Sequence, residues 1–194
     1  MLGLIGIIIR KLLNNLDSQL FLYINNLPHN FVADFIFLFI HNLTKDGLIY
    51  FILAVYFLLT KRQAMMNMVT LATISGFTTY ILNDLVLKNI FKRPRPFEVL
   101  SQINYVPPAP DSFSMPSGQS AVAFALLTII CLTVPNKKLQ IGFGLFTLFV
   151  SFDRIYLGHH YPSDVLIGAL VGMSVSYIMF SLRKSIFLFG RKID

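Results

Sequence analysis

Six long apolar stretches, divided by short polar or basic segments, are the feature that most limits what this chain can fold into. A helix needs about 20 mostly apolar residues to cross a bilayer, and the backbone polar groups inside lipid must be satisfied within the helix itself. The sequence therefore predicts an all-α membrane bundle of about six transmembrane helices. The predicted spans are residues 18–42, 46–61, 65–88, 117–135, 138–157 and 162–183. The first contains Pro28 and Asp34, which predict a kink or a start partly in the interface.

The composition favours a membrane protein over a soluble one. Of the 194 residues, 55% are hydrophobic and 13% are charged, and the mean hydropathy is +0.68. Soluble domains carry about a quarter charged residues. The formal net charge is +7, but the basic residues fall in short loops and in three motifs, which favours membrane topology and phosphate binding over nucleic acid. A single cysteine, Cys131, excludes a disulfide framework.

The rest of the chain predicts one domain over residues 1–194, because it contains neither an internal repeat nor a low-complexity linker. Residues 2–14 predict a short interfacial helix, since their basic pair follows the apolar run and a secretory signal has the opposite order. We expect His29 and His41 to lie at the membrane interface. Asp34 is expected to be either a functional group or a residue that packs against a polar neighbour. Four glycines predict close helix contacts: Gly142, Gly144, Gly168 and Gly172.

The basic loops predict how the chain is oriented in the membrane. Four basic pairs alternate onto one side, which is expected to be cytoplasmic: Arg10-Lys11, Lys61-Arg62, Lys137-Lys138 and Arg183-Lys184. A second set of cations then falls on the opposite side: Lys88, Lys92, Arg93, Arg95 and Arg154. Because these residues oppose the positive-inside bias, they indicate an anionic ligand on the outer side.

The first motif segment is Lys88-Asn-Ile-Phe-Lys-Arg-Pro-Arg95-Pro96. Its prolines restrict the backbone and help to hold the cations in place. Arginine suits bidentate contact with phosphate oxygens, and lysine acts as a point charge. Asp84, four residues before Lys88, shares its helix face and is placed to pair with it. A basic cluster that touches lipid headgroups is the alternative.

The second segment, Pro116-Ser117-Gly118-Gln119, stands at the start of a long apolar run. A helix N-terminus offers unpaired N–H groups to an anion, Ser117 adds a hydroxyl, and Gly118 allows close backbone approach. A simple helix start is the alternative, since proline is common there.

The third segment runs from Arg154 through His159 and His160 to Asp164. A carboxylate bonded to one ring nitrogen of His160 would fix the tautomer and leave the other nitrogen free to attack phosphorus. Arg154 could neutralise phosphoryl oxygens. A metal site and a structural histidine are the alternatives, but a metal would need more His, Cys or acidic partners than stand nearby in the sequence.

In this order the three segments resemble the signatures of the type 2 phosphatidic acid phosphatase family, membrane relatives of the vanadium haloperoxidases. These signatures are K-x6-R-P, P-S-G-H and S-R-x5-H-x3-D. The matching positions are Lys88, Arg95, Pro96, Pro116, Ser117, Gly118, Arg154, His160 and Asp164. The resemblance covers residues 88–164, and the apolar runs around it fit the family's six-helix bundle.

The resemblance implies a metal-independent lipid phosphatase without a cofactor, with its site on the outer, periplasmic side of a bacterial inner membrane. It also implies that His160 is the nucleophile, which forms a phosphohistidine, and that Asp164 orients it. The residues implied to cradle the phosphate are Lys88, Arg95, Ser117, Gly118 and Arg154.

Two positions depart from the family pattern. Asp153 replaces the usual serine and is placed to pair with Arg154 or to cap a turn. Gln119 stands where the family has its general-acid histidine, and glutamine cannot deliver a proton at neutral pH. Three explanations remain: an introduced change that inactivates the site, a proton supplied by His159 or a water, or a substrate that needs little acid catalysis.

The third explanation predicts a lipid diphosphate, because a phosphate leaving group departs as a stable anion and an alcohol does not. Undecaprenyl diphosphate is then the leading substrate, and the alternatives are phosphatidylglycerophosphate, phosphatidic acid and lipid A phosphates. Two other functional classes stay open, a lipid phosphotransferase and an inactive lipid-phosphate binder. The expected partners are the lipid substrate and membrane lipids, without nucleic acid, and the sequence does not indicate an oligomeric state.

Overall fold

The computed structural model describes residues 15–45, 55, 59, 63–104 and 111–190. Within these ranges the chain is helical and contains no strand. The predicted interfacial helix over residues 2–14 and nearly all of the predicted span 46–61 lie outside the described residues. The single domain over residues 1–194 stays a prediction.

The helices are numbered here in chain order. Their bounds are α1, residues 15–25; α2, Phe31–Thr44; α3, Gln63–Tyr80; α4, Lys88–Phe91; α5, Pro96–Val99; α6, Gly118–Thr133; α7, Lys137–Tyr156; and α8, Pro162–Gly190. A π-helical segment, Ile81–Leu87, joins α3 to α4 without a break.

The first predicted span, residues 18–42, is two helices and not one. A turn after α1 ends at Asn30, whose side chain accepts a 2.9 Å hydrogen bond from Ala33 N and caps α2. Pro28 lies in this turn and has no N–H to continue a helix. The kink expected at Pro28 is thus a full break, and the single span 18–42 was wrong because hydropathy over a long window averages out a short polar break.

The last four predicted spans each coincide with a helix, although the ends shift by a few residues. Two described stretches, Met65–Val99 and Pro162–Lys184, have the length and apolar composition needed to cross a membrane, whereas α2 and α6 are apolar but shorter. The prediction of an all-α fold is confirmed for the described residues. The number of six spanning helices stays a prediction.

The most extensive helix packing is between α6 and α8, and two glycines of α8 explain it. A methyl group on Gly172 would lie 2.0 Å from the carbonyl oxygen of Ala121, and one on Gly168 would lie 2.5 Å from that of Ser117. The two backbones therefore approach more closely than any side chain allows. Among the described residues, a methyl group at Gly142 or Gly144 would meet nothing within 4 Å, so the close contact predicted for these two glycines is not seen there.

The four helix ends that carry the motifs meet at one end of the bundle. Ser117 N, just before α6, donates a 2.9 Å hydrogen bond to the carbonyl of Asp164 at the start of α8. Asn83, in the π-helical segment, donates to the carbonyl of Pro116 at 3.2 Å. The backbone N–H groups of His159 and His160 each donate to the carbonyl of Arg154 at 3.0 Å, which folds the end of α7 back towards α8. These bonds bring all three segments to one place.

Candidate active site

Lys88 and Arg95, from the first segment, are held together by a serine that the motifs do not include. Lys88 Nζ donates to Ser112 Oγ at 3.1 Å and contacts Asp84, as predicted. Arg95 donates from Nε to the Ser112 carbonyl at 2.6 Å and from Nη2 to its hydroxyl at 3.2 Å. Arg95 is only 1% exposed, so its guanidinium is fixed before any ligand arrives.

Ser117 and Gly118 form the N-terminal end of α6. The first hydrogen bond of this helix runs from Ala121 N to Ser117 O, so the amides of the residues between them precede the helical ladder and can face an anion. A methyl group on Gly118 would lie 2.7 Å from Asp84 Oδ2. Gly118 is therefore also needed for packing against the π-helical segment. The Ser117 hydroxyl hydrogen-bonds that of Ser120 at 2.9 Å.

His160 lies between these cations and Asp164. Its Nε2 is 3.3 Å from Arg95 Nη1, and because a guanidinium can only donate, Nε2 carries the ring's lone pair. Its Nδ1 faces Asp164 Oδ2 at 3.7 Å, which is longer than a hydrogen bond. The nearby cations reinforce the main effect, which is burial, and lower the pKa of His160 to about 3. The ring is therefore neutral at pH 7.

Asp164 is held by other partners, which differs from the simple His–Asp pair that the sequence predicts. Its Oδ2 accepts from the backbone N–H of Tyr161 at 2.8 Å and from the Ser114 hydroxyl. Its Oδ1 accepts from Arg93 at 2.7 Å. The carboxylate is thus fixed within reach of His160 rather than bonded to it.

Arg93 connects the site to α1, a link that the motif analysis missed. Its guanidinium donates to Asp17 Oδ2 at 2.6 Å and stacks 3.9 Å above the Tyr161 ring. Asp17 also accepts from Ser163 N at 2.9 Å. Asp17 and Ser163 are 146 positions apart, and no local sequence pattern connects them. The basic run around Arg93 was the one signal in the sequence for the contacts of Asp17.

Arg154 brings α2 to the site. Its guanidinium contacts Asp153, as predicted, and also Nδ1 of His41. His41 is 4% exposed, and its ring packs edge-on against that of His159 with centroids 5.3 Å apart. The prediction of an interfacial His41 was therefore wrong, because its side chain lies inside the protein beside a predicted phosphate ligand.

Gln119 lies on the first turn of α6 next to His41. Its Oε1 is buried and has no hydrogen-bond partner among the described residues. His159 is fully buried, and its carbonyl accepts from Arg95 Nη1 at 2.9 Å. The position of the expected general acid is thus occupied by an amide next to His41, whose ring packs against that of His159.

His29 and Asp34 form a separate polar contact. His29 Nδ1 donates to Asp34 Oδ1 at 2.9 Å, and the Tyr156 hydroxyl donates to the same oxygen at 2.9 Å. The polar packing alternative for Asp34 is therefore confirmed.

The predicted site residues are thus brought together: Lys88, Arg95, Ser117, Gly118, Gln119, Arg154, His160 and Asp164 all lie where α4, α6, α7 and α8 meet. Within the described ranges no three His, Cys, Asp or Glu side chains are grouped as metal ligands. The arrangement offers fixed cations and helix amides around one imidazole lone pair, which suits the binding and attack of a phosphoryl group.

The sequence profile of the PAP2 superfamily matches residues 64–187, a range that contains all three motifs. The chain belongs to the PAP2 superfamily. This confirms the resemblance drawn from the motifs. Undecaprenyl-diphosphatase BcrC of Bacillus subtilis is 31% identical over 166 residues, which cover 85% of this chain and 83% of that protein.

Solved structures share the fold. The crystal structure of LpxE from Aquifex aeolicus matches with a TM-score of 0.69 at 27% identity, over 84% of this chain and 93% of that one. A transmembrane PAP2-type phosphatidylglycerolphosphate phosphatase from Bacillus subtilis gives 0.70 at 22% identity, over 90% and 87%. Together with the two long apolar helices, these neighbours indicate a membrane protein. The inner membrane and the outward-facing site stay predictions.

Proposed function

We propose that this chain is a lipid phosphatase that hydrolyses a lipid diphosphate through a phosphohistidine at His160. Membership in the PAP2 superfamily and the undecaprenyl-diphosphatase relative support the reaction class. The observation that carries the mechanism is the 3.3 Å approach of Arg95 Nη1 to Nε2 of His160. The lone pair of a neutral imidazole faces the guanidinium that is best placed to hold a phosphate.

The first step forms the bond between nitrogen and phosphorus. Nε2 of His160 attacks phosphorus, and the bridging P–O bond on the far side breaks in line. The proton on Nδ1 stays in place and faces Asp164, whose charge stabilises the cationic ring that results. Lys88, Arg95 and Arg154 stabilise the charge on the phosphoryl oxygens.

Gln119 is the reason to propose a diphosphate. A general acid contributes typically about 10²–10⁴-fold, and an alkoxide leaving group needs that help. A phosphate leaving group departs as a stable anion, so the missing acid at this position costs less. The chemistry of position 119 therefore favours substrates in which phosphorus is bonded to a second phosphate.

The lipid part of the substrate is assigned from the surroundings of the site. Apolar side chains cover the outside of the helices, for example Phe31, Phe35 and Phe39 on α2, which are 85%, 61% and 55% exposed. Such surfaces suit a site reached from within a bilayer. With the relative named above, undecaprenyl diphosphate presented at the outer face of the membrane is the substrate that we propose, and the reaction needs neither a metal nor a cofactor.

Phosphate release by the full chain purified in detergent tests the proposal. Undecaprenyl diphosphate is compared with phosphatidic acid and phosphatidylglycerophosphate, with His160→Ala as the blank and Gln119→His alongside. We expect selective release from the diphosphate and a loss of about 10⁴-fold or more in His160→Ala.

Each opposing result removes a different part of the proposal. Equal or faster release from the monophosphates contradicts the leaving-group argument. Release that persists in His160→Ala contradicts the nucleophile. Release that appears only in Gln119→His identifies the present sequence as an inactive form.

A further inference from the structure

The leaving-group argument covers only the first half of the reaction. Once the phosphohistidine has formed, it is the same intermediate for every substrate. A water must then attack phosphorus and lose a proton, and Gln119 cannot accept that proton at neutral pH. The second half therefore needs a proton acceptor, which neither Gln119 nor the phosphorylated His160 supplies.

His41 has the required acceptor atom. A guanidinium group only donates hydrogen bonds, so the contact from Arg154 to Nδ1 shows that Nδ1 carries the lone pair. The ring is 4% exposed, which excludes bulk water and preserves this tautomer. His41 also packs against His159, whose carbonyl is bonded to Arg95. The lone pair thus lies beside the cations that are proposed to hold the phosphate.

Gln119 supplies a second acceptor next to the first. Its side chain lies against the His41 ring, and its buried Oε1 makes no hydrogen bond of good geometry among the described residues. A donor from the reacting water would satisfy this buried acceptor. A water molecule has two O–H groups, one for each of these acceptors.

We propose that His41 is the general base that hydrolyses the phosphohistidine and that Gln119 positions the attacking water. The water oxygen bonds to phosphorus while its proton moves to Nδ1 of His41. The N–P bond breaks, its electron pair returns to Nε2 of His160, and inorganic phosphate leaves. The His41 imidazolium then returns its proton to solvent. This inference rests on the proposed function, because it requires the phosphohistidine.

The charges that face His41 make its basicity depend on the substrate. Arg154 contacts Nδ1, His159 packs on the ring, and Lys45 is the other nearby cation. Asp153 contacts Nε of the same guanidinium. In the structure Arg154 occupies the lone pair. A bound phosphoryl group offers oxygens to Arg154 and adds negative charge, so Nδ1 becomes free to accept a proton when the intermediate is present.

A positioning role for His41, acting only through Arg154, makes a different prediction. Loss of a positioning residue slows formation of the phosphoenzyme, whereas loss of the base slows only its breakdown. His41→Asn separates the two, because the amide oxygen can still accept from Arg154 but cannot take a proton at neutral pH. His29→Asn is the matched control, since His29 bonds to Asp34 and to the Asn25 carbonyl outside the site.

The experiment is rapid-quench measurement of the phosphoenzyme formed by the full chain from radiolabelled undecaprenyl diphosphate. For His41→Asn we expect a burst of label close to one per protein, followed by breakdown about 100-fold slower than in the unmodified protein. The slow rate should be the same with phosphatidic acid once the label has formed. His29→Asn should form and break down its label at the rates of the unmodified protein.

A rescue variant completes the test. The double variant His41→Asn, Gln119→His should regain breakdown, because a histidine at 119 restores a base. His41→Asn that breaks down its label at the normal rate overturns the inference, as does slow labelling with normal breakdown. His41→Gln repeats the test if His41→Asn does not fold. Absence of any His160-dependent label in the unmodified protein, by contrast, overturns the proposed function itself.

Discussion

Two regions of the molecule meet at the site and are attached in different ways. The α6–α8 region is joined by backbone contact at Gly168 and Gly172, and it carries Ser117, Gly118 and Asp164. Among the described residues, the α1–α2 region reaches the same place through its side chains, with Asp17 on Arg93 and His41 on Arg154.

The two kinds of attachment suit two different roles in the site. Backbone contact between helices has little freedom to adjust, which suits the groups that must hold the phosphoryl oxygens within tenths of an ångström. Polar side-chain contacts can exchange partners when a ligand arrives. We therefore assign nucleophilic attack and the part of phosphate binding that depends on Ser117 and Gly118 to the first region, and proton acceptance to the second.

Breaking the backbone contact should have the largest effect. In Gly172→Ala the new methyl group meets the carbonyl of Ala121, which is backbone and cannot rotate away. We expect destabilisation of about 3 kcal/mol or more, measured as the fraction of protein that stays monodisperse after heating in detergent. Gly142→Ala is the matched control, and because its methyl group meets open space we expect a gain of about 0.5–1 kcal/mol. Equal behaviour of the two variants would contradict the comparison.

Weakening the side-chain attachment should have a smaller effect. Asp17→Asn removes the charge that holds Arg93 and Ser163, and we expect about 1–2 kcal/mol of destabilisation by the same heating assay. Asp111→Asn, at an exposed position, is the control. If Asp17→Asn destabilised the protein as much as Gly172→Ala, the α1–α2 region would be part of the rigid scaffold.

The pH dependence of phosphoenzyme formation tests whether His160 is buried and neutral. Its expected change is the smallest of the three. Since burial lowers the pKa of His160 to about 3, the proposed nucleophile of the free enzyme stays neutral as the pH falls. It becomes protonated only near pH 3. The rate of phosphoenzyme formation at low substrate concentration should therefore stay constant from about pH 8 to pH 5. With a histidine of ordinary pKa, this rate would be about 30-fold lower at pH 5. The substrate's own ionisation is followed separately by phosphorus NMR. A loss near pH 6.5 that the substrate does not explain would contradict the buried, neutral His160.

The sequence predicted the part of the site that depends on short-range spacing. Lys88 and Arg95, or His160 and Asp164, stand a few residues apart, so local geometry limits where their side chains can lie. The Asp84–Lys88 and Asp153–Arg154 contacts were predictable for the same reason. Membership in the PAP2 superfamily then followed from the order of the three segments.

The contacts made by α1 and α2 could not be predicted in this way. His41 and Arg154 are 113 positions apart, and an isolated histidine in an apolar run carries no signal of its partner. Asp164 illustrates the same limit, because Tyr161, Ser114 and Arg93 hold its carboxylate and set it 3.7 Å from Nδ1 of His160. The sequence predicted a kink at Pro28 and not a full break between α1 and α2, because a few polar residues barely change the hydropathy of a long window.

The central claim is that His160 carries the phosphoryl group, and peptide mapping of the labelled protein tests it most directly. The full chain is quenched during turnover of radiolabelled undecaprenyl diphosphate, digested at alkaline pH and analysed by mass spectrometry. The account predicts an acid-labile, alkali-stable phosphoryl group on His160, absent from His160→Ala. A phosphoryl group on any other residue, or undiminished phosphate release without label on His160, would contradict it.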